Sequence, residues 1–367
     1  MSRRLAFAFA SSLVAIAACS SFKNTSTAGD GGTDANAGGD TGSSGSGSGS
    51  GSGSSSGSSG GSSGSSSGGS PTCNDGGCVT TAVLFGGDDT LTNTADTWTF
   101  GGSAWSNPGT SSAPPHREES AMAMLNGVVV LFGGSPTGQG DVVADTWIWD
   151  GASWTQAHPA SSPPARCYHS MATLGNTIVL YGGSDGANLL EDTWTWDGTD
   201  WTQHIVATPP KREAAMMATL GGNVVLFGGV GGSSGNTDLA DTWTWDGSGW
   251  TQQSPAQSPV ARDSGNAATV GGVVVLFGGQ DTNAAALADT WTWDGSSWTP
   301  HTGLSQSPPA RLGAAAAALG GHLVLFGGTT NNTNDFNDTW IWDGSQWFQG
   351  PANGPSGRSY AAMTGPG

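Results

Sequence analysis

Asp289-Thr290-Trp291-Thr292-Trp293-Asp294-Gly295, followed by Trp298, is the stretch from which the rest of the chain can be read. Thr and Trp alternate, so in a strand both indoles leave the same face. β-Branched Thr and aromatic Trp both suit a pleated surface. Asp294-Gly295 is a tight-turn pair, and Trp298 then opens a further strand. Upstream, Gly272-Val273-Val274-Val275-Leu276-Phe277-Gly278-Gly279 is apolar without alternation. Such a strand needs cover on both faces. One hairpin cannot provide it, so neighbouring copies of the unit must.

Asp-Thr-Trp begins at Asp96, Asp145, Asp192, Asp241, Asp289 and Asp338, every 47–49 residues. Gly-Gly pairs precede it at Gly86, Gly133, Gly182, Gly228, Gly278 and Gly327, and the closing Trp is Trp105, Trp154, Trp201, Trp250, Trp298 or Trp347. The three aromatic places of the six copies hold all 17 Trp of the chain, with Phe100 in the remaining place. That regularity marks the indoles as a packing layer rather than a sugar-stacking platform.

Each full unit reads as four strands. In the third copy these are Ser170-Met171-Ala172-Thr173-Leu174, then Ile178-Val179-Leu180-Tyr181, then Thr193-Trp194-Thr195-Trp196, then Trp201-Thr202-Gln203. Short turns between them predict an antiparallel meander. First strands are built of small residues, most extremely at 314–318, which are all Ala. Small residues fit units crowding towards a common axis, with the Trp filling volume where the units fan apart.

An apolar strand ending in Gly-Gly, a variable loop, then Asp-Thr-Trp-x-Trp-Asp and a further Trp resembles the kelch repeat. The resemblance spans residues 79–364 and implies an all-β fold, a β-propeller of four-stranded antiparallel blades. The first copy starts at its second strand, Ala82-Val83-Leu84-Phe85, and the chain ends on an unpartnered first strand, Arg358-Ser359-Tyr360-Ala361-Ala362-Met363-Thr364. Six blades are expected, the C-terminal strand completing the N-terminal blade. Closure would remove exposed sheet edges.

The N-terminal portion is of another kind. Ser2-Arg3-Arg4 and the short apolar run Leu5 to Ala18 read as a secretory signal over residues 1–18. Ile16-Ala17-Ala18-Cys19 resembles the lipobox of bacterial lipoproteins, which implies cleavage before Cys19 and its lipidation. Ser20 is not the Asp that in this family signals inner-membrane retention, so the outer membrane is favoured. Residues 19–72 read as a lipid-anchored tether, every residue from Gly42 to Ser70 being Gly or Ser. Such a tract cannot bury a core, and about 50 residues of it would reach ~40 Å. The propeller then occupies residues 73–367. Cys73 and Cys78 are placed for a local disulfide in an oxidising compartment, leaving Cys167 over, unless Cys167 takes one of the two as its partner.

The chain's net charge of −18, with only ten Lys and Arg, argues against nucleic acid as partner. Arg117, Arg166, Arg212, Arg262, Arg311 and Arg358 recur at the start of each first strand, on the face that carries the long loops. Two roles suit them. They form a site for a carboxylate or acidic peptide, as related loops do in some kelch proteins, or each ties its loop to a repeated Asp or to backbone carbonyls. The expected function is a non-catalytic binding module at the cell envelope, its partner a protein, peptide or glycan held on the long-loop face, with no cofactor and no metal. The alternative is an extracytoplasmic enzyme at the channel mouth. A copper radical oxidase needs two Tyr, two His and a Cys linked to one Tyr, for which Cys167-Tyr168-His169 and His116 are the nearest match. A carbohydrate-active site would use Glu118, Glu119 and Glu213.

Overall fold

The computed structural model describes residues 79–366, apart from 90–93, 111, 139, 232–236 and 331–334. The expected signal segment, Cys19, the tether, and Cys73 and Cys78 lie outside the described residues. Among the described residues the regular elements are all strands, and six four-stranded antiparallel sheets recur. The second is representative: Ala121–Leu125, Val128–Phe132, Thr146–Trp149 and Trp154–Ala157, paired in chain order. Asn126 and Gly127 join its first two strands with φ of 51° and 79°. Both angles are left-handed, as a tight hairpin turn compatible with strand twist requires. The first sheet differs in origin. Its first strand is Ala362–Thr364, which pairs with Ala82–Phe85 in the register Val83–Thr364, Leu84–Met363 and Phe85–Ala362.

The apolar second strands are covered as their lack of alternation demands. Val129 and Leu131 pack with Val83 and Phe85 of the first sheet, whereas Val130 and Phe132 pack with Ile178 and Leu180 of the third. Six such clusters each join two sheets, including one between the first and the sixth through Leu84, Phe100, Val324 and Phe326. First strands touch in sequence from Ala121–Leu125 to Ala315–Leu319, and Ala362–Thr364 touches both of those.

The Trp fall into three classes with three roles. The first of each motif, such as Trp147, donates its indole N–H to Asp145 Oδ2 at 2.6 Å. The second, such as Trp149, is fully buried and its Nε1 has no hydrogen-bond partner. The third, such as Trp154, tilts against Trp149 with ring centroids 5.5 Å apart and donates to Thr97 Oγ1 of the preceding sheet at 2.8 Å. Phe100, the one departure from Trp, sits in the second class. Loss of the indole N–H costs nothing there, because that N–H has no acceptor in the other five sheets.

Candidate functional site

Each repeated Arg stands in the segment leading into a first strand rather than within it, and all six have the same surroundings. Arg212 donates Nε to Pro210 O, Nη1 to Gly228 O, and both Nη to Asp241 at 2.6 and 2.8 Å. Arg117, Arg166, Arg262, Arg311 and Arg358 form the same two-pronged pair with Asp145, Asp192, Asp289, Asp338 and Asp96. All six are buried to within 2% of full coverage. Burial alone would raise each Asp carboxyl, but the Arg hydrogen bonds and charge outweigh it and hold it below its ordinary value. The six arginines therefore serve the second of the two roles read from the sequence: they bind loop to sheet, and their donors are already used.

Two residues beyond each Arg the backbone does something less expected. Glu119, Tyr168, Ala214, Ser264, Gly313 and Tyr360 all have φ between 50° and 61°. Five of these six are not Gly, and such residues enter the left-handed region at a cost of roughly 1–2 kcal/mol each. Each N–H donates to the carbonyl of the same position in the preceding sheet. Tyr168 donates to Glu119, Ala214 to Tyr168, Ser264 to Ala214, Gly313 to Ser264, Tyr360 to Gly313 and Glu119 to Tyr360, at 2.7–3.0 Å.

These residues line a cavity of about 130 Å³ with His169 and Ser120. The rings of Tyr168 and Tyr360 meet edge to face, centroids 5.7 Å apart. Gly313 leaves room for Tyr360, since a Cβ there would lie 2.9 Å from its ring. Glu119 is 4% exposed and neither carboxylate oxygen has a hydrogen-bond partner. Burial and the Glu118 charge, with Glu213 and Asp88 behind them, raise its pKa well above the ordinary carboxyl value. The Tyr168 hydroxyl leans the other way without reaching hydrogen-bond geometry. His169 is also buried with both ring nitrogens unpartnered, and burial, then the Arg166 charge, lowers its pKa to about 3, so the ring is neutral.

Further acids stand around this mouth. Burial and the Asp263 charge push Glu213 up to about 7. Burial pushes Asp263 to about 7, the Ser264 hydrogen bond opposing and Asp238 adding to it. Burial also pushes Asp335 to about 6. The cation-rich mouth expected from the repeated Arg is thus an acid-rich one. At the short-turn end, the first strands line a cavity of about 460 Å³ with Met124, Thr173, Thr219, Thr269 and Met363 among its walls, and one of about 180 Å³ shares walls with both it and the small cavity.

Of the unlike residues picked out in the sequence, Glu119, Tyr168 and His169 come together at the small cavity, while His116 is exposed and does not line it. Cys167 is disulfide-bonded, so its sulfur is not available for a link to Tyr168. Among the described residues no group of three or more His, Cys, Asp or Glu is arranged to hold a metal ion. Tyr360 and Ser264 escaped the sequence reading. Stacking the copies on their Arg would have exposed them, as members of a variable column two residues beyond it.

The KLHDC2/KLHL20/DRC7 Kelch-repeats domain matches residues 65–229 and again 152–299, and the Kelch motif matches residues 310–353. The chain belongs to the kelch-repeat family. No curated protein matches it. Kelch repeats typically mediate protein interactions. In this kelch chain the features present in every sheet, namely the Arg–Asp pairs, the Trp–Thr bonds and the Gly-Gly turns, are internally satisfied. The small cavity is one of the places where the sheets differ, the long loops being another.

Proposed function

We propose that this kelch protein is a closed six-bladed propeller acting as a non-catalytic interaction module, its partner a protein or peptide bound on the long-loop face. Closure is supported by the pairing of Ala362–Thr364 with Ala82–Phe85 and by the hydrogen-bond circuit that returns from Tyr360 to Glu119. The observation that carries the binding reading is the gathering of Glu119, Tyr168, Ser264 and Tyr360 at one end of the axis, where unlike side chains break the repeat. Unlike residues on a rigid repetitive scaffold are where recognition resides. The cavity at this end is about 130 Å³ and shares walls with one of about 180 Å³. It suits the tip of a side chain from a larger partner.

The cell address belongs to the same proposal. Residues 1–18 are a secretory signal, Cys19 is the lipidated first residue, residues 19–72 are a tether, and residues 73–367 carry the propeller at the bacterial envelope, the outer membrane favoured. Palmitate labelling of the full chain, compared with Cys19→Ser, tests the anchor: label lost in the variant supports it, and label retained contradicts it. A screen of the full chain against envelope proteins, peptides and glycans tests the face. Binding weakened by substitution in the long loops supports the reading. Binding that follows the short-turn face, or confined to glycans, contradicts it.

A further inference from the structure

We propose that the axial cavity bounded by Glu119, Tyr168 and Tyr360 binds a primary ammonium group, presented on a lysine side chain of the partner. This rests on the interaction reading above and gives that partner a chemistry.

Three features converge. The Glu119 carboxylate is buried and unpartnered, and it lines the cavity. A buried acid without a partner is costly in its charged form, and a cation delivered to it removes that cost. The two Tyr rings that complete the wall are the second feature, since aromatic faces attract cations. The third is the sign of the surroundings. Glu118, Glu213 and Asp88 act on Glu119, and Asp263 acts on Tyr360, all of them acids. The six repeated arginines are each neutralised by an Asp, so none of them competes. His169 stays neutral and so adds no competing charge beside the cavity. An ammonium has three donors and no acceptor, which matches a wall of carboxylate and hydroxyl groups.

Occupation should also move a proton. In the empty cavity, burial and the acids Glu118, Glu213 and Asp88 raise the Glu119 pKa well above the ordinary carboxyl value, against the opposing Tyr168 hydroxyl. An ammonium beside it favours the carboxylate and lowers that pKa, so the change on binding is towards proton release.

The test is calorimetric titration of the full chain with acetyl-Gly-Lys-Gly-amide, with its Nε-acetylated counterpart and with n-butylammonium, in two buffers of different ionisation enthalpy. Expected are saturable binding of the lysine peptide with net proton release, and binding about tenfold or more weaker for the acetylated peptide and for the Glu119→Gln variant. The proton release is read on the unsubstituted chain and needs no variant to fold. Equal binding of the two peptides, or binding without proton release, would overturn the proposal. n-Butylammonium binding as tightly as the peptide would overturn the assignment to lysine in favour of a free amine. A protein partner of the long-loop face that ignores Glu119→Gln would sink this site and leave the interaction reading standing. Lysine-peptide binding with no partner for that face would do the reverse.

Discussion

Trp105 donates its indole N–H to Thr339 Oγ1 at 2.9 Å, across 234 residues of sequence. The same bond runs from Trp154 to Thr97, Trp201 to Thr146, Trp250 to Thr193, Trp298 to Thr242 and Trp347 to Thr290. Five join a sheet to the one before it in the chain, and the bond from Trp105 joins the first to the last. A Trp that only filled space would be replaceable by any large apolar residue. A Trp that fills space and also satisfies a buried hydroxyl is not.

Thr146→Val keeps the shape at the end of that bond and removes the acceptor. A buried donor left unpaired costs about 1–3 kcal/mol. Urea denaturation should show a loss in that range, and a change within error would mean that the Trp201 bond contributes nothing. By the same logic Trp149→Phe, which copies the natural Phe100, should destabilise less than Trp201→Phe.

Arg212 is fully buried against Asp241, whose side chain retains 19% exposure. Removing one partner of a buried pair typically costs 3–5 kcal/mol, and solvent on the Asp side draws Arg212→Met to the lower end, about 3 kcal/mol. The variant should bind partner peptides as the parent does, since Arg212 is spent within its own sheet. Lost binding at unchanged stability would return the arginines to the ligand-site role.

The acid-rich mouth sets the pH dependence. Glu213 titrates at about 7 in the folded chain, above its ordinary 4.5, and Asp263 at about 7, above 3.8. Between those limits the folded state holds more protons than the unfolded one, so stability falls as pH rises through that window. At the acid end, the six aspartates paired to Arg have lowered pKa values. Their contribution is complete above about 3.8 and is lost as pH falls below it. Melting temperature should therefore be higher at pH 5 than at pH 8, and Glu213→Gln should narrow the gap. A chain more stable at pH 8 would contradict the burial of these acids.

The sequence made the repeat legible for two reasons. Strand alternation forces Trp291 and Trp293 onto one face, and the unalternating Val273 to Phe277 run could be covered only by neighbouring copies. Residue identity did not settle direction. Arg212 is the same side chain whether it faces a ligand or Asp241, and only the bidentate geometry distinguishes the two. Nor does a small or large residue after each Arg announce a left-handed φ. Glu119 and Tyr360 adopt it because the six-membered backbone circuit holds them there, and that circuit is assembled from segments far apart in the chain. The acidity of the mouth was legible only in part: Glu119 and Glu213 could be read there as carboxylates, whereas Asp263, from a third copy, could not.

Gly87 has φ of +100°, and a Cβ there would lie 2.8 Å from Ser359 O and 2.9 Å from Ala361 Cβ. Gly87→Ala should therefore cost more than about 1 kcal/mol and loosen the C-terminal strand in particular. Limited proteolysis should cut the variant near its C-terminus before anywhere else in the folded region. Wild-type resistance would show that the close approach is not tight.

The claim on which the rest depends is that the last strand is an integral part of the first sheet. Amide hydrogen exchange across Ala362–Thr364 in the full chain measures it directly. The account predicts protection there equal to that of Val128–Phe132, released only by global unfolding. Exchange at the rate of an unstructured tail, with the remaining sheets still protected, would contradict it.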